Sequence, residues 1–202
     1  MDIKQVYIDS DALLEGHFLL SSGKHSAYYL QSARIMEYPR KSKQVIQELS
    51  KIILDSGIKV DSVCSPALGG LLVGYELSRA LNVRFIFTER VNGKMELRRG
   101  FNVREREKIV ICEDIITTGG SAVECENEVS GYGAEVVAYA ALANRGICSI
   151  YSDKNQRQDS CKLNPNIPFF ALGNFIFETY EADNCPLCKN GSTALKPGSR
   201  GN

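Results

Sequence analysis

The chain has 202 residues, 44% of them apolar and 24% charged, which are the proportions of a globular domain with a sizeable core. Its 24 basic and 24 acidic residues cancel, so no global field favours nucleic acid or an anionic membrane, and any anion site must be local. No apolar run approaches the roughly 20 residues that span a bilayer. The N-terminal stretch MDIKQVYIDSDALLEG is too acidic and polar for a signal peptide, which makes the cytoplasm the expected compartment.

Residues 1–40 read as a short helix followed by a hairpin, because GHFLLSSGKHSAYYLQ alternates apolar and polar residues around a turn. A helix is predicted over Lys41–Ser56, where Val45, Ile46, Leu49, Ile52 and Ile53 form one buried stripe. Strands are then predicted at Val60–Cys64, Val83–Phe87, Ile109–Cys112, Glu135–Leu142 and Pro168–Leu172. Helices at Gly70–Leu81 and Ala122–Gly131 fall between them. Strands alternating with helices imply an α/β domain whose mostly parallel sheet, of about five strands, is flanked by helices. The expected organisation is one domain over 1–202: an N-terminal hood at 1–40, an α/β core at 41–180 and a C-terminal tail at 181–202. The end of that tail, Lys189–Asn202, is polar and glycine-rich and reads as partly mobile.

Seven cysteines are an odd number and do not suggest a secreted disulfide framework. Cys64 and Cys112 lie in apolar strands, where cysteine acts as a small hydrophobe. Cys185-Pro186-Leu187-Cys188 has zinc-ligand spacing, but a closed site needs a second pair of ligands. The only histidines, His17 and His25, lie far away in sequence, so the pair of cysteines reads as a local structural feature, with a zinc shared across a dimer as the alternative, and each histidine as one satisfied by backbone.

The richest segment is KIVICEDIITTGGS, Lys108–Ser121. An apolar strand ends in Glu113 and Asp114, passes Ile115 and Ile116, and enters Thr117-Thr118-Gly119-Gly120-Ser121, with Ser121 available to cap the following helix. Such a strand–loop–helix turn aims backbone N–H groups at an anion. The acids would repel a phosphate and suit hydroxyl groups or a metal ion. A phosphate beside a polyhydroxyl points to a phosphorylated sugar. Upstream, Arg90, Lys94, Arg98 and Arg99 surround the turn signal Asn92-Gly93, which predicts a cationic hairpin flap only partly neutralised by Glu89 and Glu96.

The Lys108–Ser121 segment resembles the phosphoribosyl-pyrophosphate motif of the type I phosphoribosyltransferases, which implies that family's fold. GHFLLSSGKHSAYYLQ, CSPALGG at Cys64–Gly70 and FTERVNGKMELRRGF at Phe87–Phe101 resemble the hood, the pyrophosphate loop and the mobile catalytic loop of the orotate phosphoribosyltransferases. Cys185–Cys188 and Lys196–Arg200 also resemble the ending found in one bacterial branch of that family. The resemblance implies transfer of a phosphoribosyl group to orotate with Mg2+ as cofactor, in a homodimer whose flap reaches the other subunit's site, with no nucleic acid or membrane partner.

Carried onto this chain, it implies a catalytic set of Lys94, Arg90 and Asp114. Phosphoribosyl pyrophosphate would be bound by Glu113, Asp114, Ile115, Ile116, Thr117, Thr118, Gly119, Gly120 and Ser121, and orotate by Thr117 and Arg145. No protein side chain is assigned to the metal, whose ligands would come mostly from substrate and water. Two positions depart from the pattern. Ser21 and Gly69 stand where some relatives carry phosphate-contacting lysines, and Lys24 is displaced by three positions from the first. Alternatives are a purine-type phosphoribosyltransferase, which needs no cation at Arg145, and a non-catalytic sensor of phosphoribosyl pyrophosphate, which needs no cationic flap.

Overall fold

The computed structural model describes residues 1–152 and 157–197. The chain opens with α1 (Ile3–Asp9), capped by the Asp2 carboxylate on the Lys4 and Gln5 N–H groups. The hairpin β1 (Leu13–Leu19) and β2 (His25–Leu30) and a single turn α2 (Ala33–Met36) complete the hood. The core runs α3 (Pro39–Asp55), β3 (Ser62–Pro66), α4 (Gly70–Leu81), β4 (Arg84–Val91), β5 (Lys94–Leu97), β6 (Lys108–Ile116), α5 (Gly120–Gly131), β7 (Glu135–Asn144) and β8 (Phe169–Ala171). A last short helix, α6, spans Pro186–Lys189.

The central sheet has six strands in the order β5-β4-β3-β6-β7-β8, parallel except for β5. The sixth strand is the returning arm of the flap. Asn92 and Gly93 both take positive φ, 48° and 87°, and fold Lys94–Leu97 back onto β4. From β3 the chain adds β4 on one side, whereas β6, β7 and β8 extend on the other. The carboxyl ends of β3 and β6 therefore meet where the winding reverses, which is where ligands of such sheets bind.

Alternation within β6 and β7 shows why both sheet faces are covered. Val110, Cys112, Ala138, Ala140 and Leu142 face a core shared with α1, α3 and α4, and Ile109, Ile111, Tyr139 and Ala141 face one built with α5. Within α3, Val45, Ile46, Leu49 and Ile53 are buried, as the stripe predicted. Removing Ile46, Leu49 or Ile53 to alanine should cost about 2–5 kcal/mol.

Two expectations are corrected, and part of the tail is found seated. Helix α5 is not capped by Ser121; its N-cap is Gly119, and Ser121 falls inside the first turn. Leu195 exchanges backbone hydrogen bonds with β1 (Leu19 N–H to Leu195 carbonyl 2.7 Å, Leu195 N–H to His17 carbonyl 2.8 Å), and residues 198–202 lie outside the described residues. The histidines are not merely backbone-satisfied, since β1, β2 and the tail bring them onto each other and onto Cys185 and Cys188. The pairing of histidines with cysteines has no local signal, because those partners are more than 160 residues apart. One disulfide, Cys148–Cys161, was not anticipated either.

Candidate active site

The loop after β6 leaves the sheet at Ile116. Gly119 takes φ 82°, and a Cβ there would lie 2.4 Å from Leu163, so only glycine fits. Among the described residues, none of the backbone N–H groups of Thr117, Thr118, Gly119, Gly120 and Ser121 has an acceptor. These donors stand at the N-terminus of α5, the arrangement that receives a phosphate. The loop is braced from beneath by the Lys162 N–H, which donates to the Thr118 carbonyl at 2.7 Å. The Lys162 side chain itself reaches Gly120, its Nζ 3.9 Å from where a Cβ would stand. Sequence reading missed Lys162, because an isolated lysine in an irregular segment carries no pattern.

Glu113 and Asp114 sit half-buried at the end of β6. Burial pushes the Glu113 carboxyl well above the usual carboxylate range, and the neighbouring Asp114 charge pushes it further. Burial also raises Asp114 to about 6, against the hydrogen bond its carboxylate accepts from the Ile115 N–H at 2.9 Å. The loop after β3, which contains a cis peptide between Ala67 and Leu68, closes on both acids. A Cβ at Gly69 would stand 3.0 Å from Asp114 Oδ1, and one at Gly70 would stand 3.1 Å from Glu113 Oε2 and 2.8 Å from the Cys112 carbonyl. A lysine at position 69 would therefore press on Asp114. The hood contributes Tyr29, whose hydroxyl is raised by burial and then by the Asp114 charge.

Arg145 follows β7. Its backbone N–H donates to the Ile116 carbonyl at 2.9 Å, and its Nε donates to the Phe175 carbonyl at 3.2 Å. The guanidinium lies 4.6 Å over the Phe177 ring, and that ring is 5.1 Å from Tyr28 of the hood. Burial lowers its pKa, and among the described residues no carboxylate pairs with it. A half-buried cation with no carboxylate partner, beside a loop of free N–H groups, has the chemistry to receive an anion.

The flap is docked on α5. Arg90 pairs with Glu124 at 2.5 Å and donates to the Gly93 carbonyl at 2.6 Å, and the Leu97 N–H donates to Glu128 at 2.8 Å. Arg99 makes a two-pronged pair with Glu89, both contacts at 3.0 Å. Among the described residues Lys94 and Arg98 form no ion pair, and Lys94 lines an open groove of about 290 Å³ with Met95, Glu124 and Asn127. Lys24 is tied to Glu181 at 3.0 Å in a solvent-exposed pair.

Comparison with known proteins agrees with this geometry. The family model described as "Phosphoribosyl transferase domain" matches residues 36–167. A curated relative, the orotate phosphoribosyltransferase of Campylobacter curvus, is 58% identical over 202 residues, covering all of both chains. The crystal structure of orotate phosphoribosyltransferase from Aeropyrum pernix superposes with a TM-score of 0.63 at 19% identity, over 87% of this chain and 94% of that one. The adenine phosphoribosyltransferase of Thermoanaerobacter pseudethanolicus gives 0.57 at 19% identity, over 73% and 88%, so the shared fold alone does not choose the base. Among the described residues no helix is long and apolar enough to cross a membrane. With a family model over most of its length and full-length relatives at such identity, the chain belongs to the orotate phosphoribosyltransferase family of type I phosphoribosyltransferases.

Proposed function

We propose that the protein transfers the phosphoribosyl group of 5-phosphoribosyl 1-pyrophosphate to orotate, giving orotidine 5′-monophosphate and pyrophosphate in pyrimidine biosynthesis. The observation that carries the choice of base is Arg145, an unpaired, half-buried guanidinium bonded through its backbone to the end of the phosphate-loop strand. Orotate brings a carboxylate that a planar guanidinium binds in two-pronged fashion, whereas a purine does not.

No nucleophilic side chain is needed, because N1 of orotate attacks C1 of the ribose as the pyrophosphate leaves. The protein positions the reactants and stabilises charge. The N–H groups of Thr117–Ser121 hold the 5′-phosphate, with the Lys162 ammonium beside Gly120 adding charge. Glu113 and Asp114, following Ile115 and Ile116 back along the strand end, accept the ribose hydroxyls and favour positive charge developing on the ring. Thr117 and Arg145 orient orotate under the hood. Lys94 at the flap tip stabilises the leaving pyrophosphate. Arg90 reaches the same charge only after parting from Glu124, so in the docked flap it serves as the latch.

Two crowded, half-buried carboxylates whose affinity for protons is raised by burial, and at Glu113 also by the Asp114 charge, suit a hard cation with oxygen ligands. Mg2+ bound there with the substrate would neutralise charge on the pyrophosphate oxygens. Glu113 and Asp114 would hold it through the ribose hydroxyls and water. In a homodimer, which the family resemblance supports, the flap would act on the neighbouring subunit's site.

The test is direct. With Mg2+ and phosphoribosyl pyrophosphate present, orotate absorbance should fall, while uracil and hypoxanthine should be left unchanged. Consumption of hypoxanthine but not orotate would favour the purine-type reading, and binding of phosphoribosyl pyrophosphate without consumption of any base would favour the sensor.

A further inference from the structure

Outside the active site, four metal-binding side chains converge where the hood meets the tail. We infer that His17, His25, Cys185 and Cys188 form a structural zinc site that fastens residues 185–195 to the hood hairpin.

The ligand atoms of the four residues all lie within 4.8 Å of one another. Cys185 Sγ is 3.6 Å and Cys188 Sγ 3.8 Å from His17 Nε2, and Cys188 Sγ is 3.3 Å from His25 Nδ1. A tetrahedral zinc ion with Zn–S of about 2.3 Å and Zn–N of about 2.0–2.1 Å separates its sulfur and nitrogen ligands by about 3.6 Å. The three observed separations bracket that value. The two ring nitrogens are 2.8 Å apart, so taking up the ion opens them by about 0.5 Å.

The surroundings are those of a built site. His17, His25 and Cys185 are 5%, 8% and 0% exposed, and only Cys188 meets solvent. Both cysteines are free, and the Cys185–Cys188 turn sets their sulfurs on one side. The hairpin supplies the other pair through an irregularity in its register between Glu15 and Phe18. Beyond it, Leu19 stands opposite His25, so His17, two residues before Leu19, shares the face of His25. His17 Nδ1 lies 3.1 Å from the Ser192 carbonyl and donates its proton there, which leaves the Nε2 lone pair directed at the cluster. Orientation of a ligating histidine by a carbonyl on its other nitrogen is characteristic of metal sites.

A plain hydrogen bond between the two histidines explains the 2.8 Å contact but not two thiols aimed at the same point. Two thiolates and two imidazoles, closed to a fifth ligand, select zinc over the oxygen-seeking Mg2+. The node has a structural consequence as well. Backbone bonds between His25 and Tyr180 and between His17 and Leu195 flank it, and the intervening segment leads to Phe177, the ring under Arg145.

The experiment uses the full-length protein purified without a metal-binding tag. Elemental analysis should find about one zinc per chain, and Cys188→Ser and His25→Ala should each lose most of it. Cobalt added to protein stripped of metal should produce the visible d–d bands of tetrahedral cobalt and a thiolate charge-transfer band, saturating at one equivalent. A chelator should lower Tm in the wild type but not in Cys188→Ser, whose exposed position leaves the fold intact. The proposal is overturned by wild-type protein without zinc whose stripped form gives no such cobalt spectrum. Full zinc retention in Cys188→Ser, a Cys185–Cys188 disulfide in the purified protein, or cobalt bands of octahedral type would overturn it equally.

Discussion

The backbone N–H of Arg145 is bonded to the Ile116 carbonyl at 2.9 Å, so the residue proposed to read the base and the last residue before the phosphate loop are held as one rigid corner. The two proposed roles, base specificity and phosphate binding, thus meet at one backbone joint while using different groups, and they should be separable by mutation. Arg145→Ala should weaken orotate far more than phosphoribosyl pyrophosphate, because losing the partner of a desolvated carboxylate costs on the order of 2–5 kcal/mol. Separate titrations of the two substrates check this, and equal weakening of both would assign Arg145 to architecture.

Asp114 should be a liability to the ligand-free fold. Its pKa rises from 3.8 unfolded to about 6 folded, so the native state holds the extra proton between those values. Stability therefore falls as pH climbs from about 4 through about 6, and the deficit is fully present above that, on the order of 2–3 kcal/mol. Asp114→Asn should raise Tm at pH 7.5 while abolishing most activity. In the wild type, binding of phosphoribosyl pyrophosphate should strengthen as pH rises through about 6, when the carboxylate becomes free to accept ribose hydroxyls. Thermal melts of both proteins across pH decide the matter.

Lys94→Ala tests the flap. A cation about 4 Å from the pyrophosphate at an effective dielectric near 20 contributes on the order of 4 kcal/mol. Water replaces part of it, leaving an expected rate loss of roughly 10²–10³. If the flap acts across a dimer, mixing Lys94→Ala with Arg145→Ala subunits should recover activity, since one hybrid site has both residues intact. Hybrids verified by mass that stay inactive would make the flap act within its own chain.

Gly119→Ala should damage the phosphate loop in two ways. The left-handed backbone costs about 1–2 kcal/mol for alanine, and the new methyl overlaps Leu163. The double variant Gly119→Ala with Leu163→Ala should recover the steric part only. Calorimetric titration with phosphoribosyl pyrophosphate should show strong weakening in the single variant and partial recovery in the double.

What could be read in advance was what repeats locally. The stripe from Val45 to Ile53, the β-branched runs and the Asn92-Gly93 turn each carry their signal within a few residues, and the structure places each where that signal said. The acids and the Thr/Gly loop were legible for the same reason. Residues acting across long separations were not. Leu163 explains why position 119 must be glycine, and Lys162 braces the loop, yet neither has a periodicity to announce it. Glu124 on α5 reads as an ordinary surface acid until the flap is seen folded against it. The cysteine pair and the histidine pair each looked incomplete, because the hairpin irregularity and the returning tail that unite them are tertiary events.

The seating of the tail on β1 also dictates an order of assembly. The contact of His17 with Ser192 spans 175 residues, and that of His25 with Cys188 spans 163. Such distant pairings must wait for the chain between them. At about 5–20 residues per second, the last residue of β7 is made roughly 2–8 seconds before Cys185 exists, so β3, β4, β6 and β7 are in the chain ahead of the tail. During that interval the hairpin lacks its flanking partners Tyr180 and Leu195 and presents bare strand edges. The loops proposed to hold the substrates are thus framed early, and the hood proposed to cover the base is the last part of the molecule to become native.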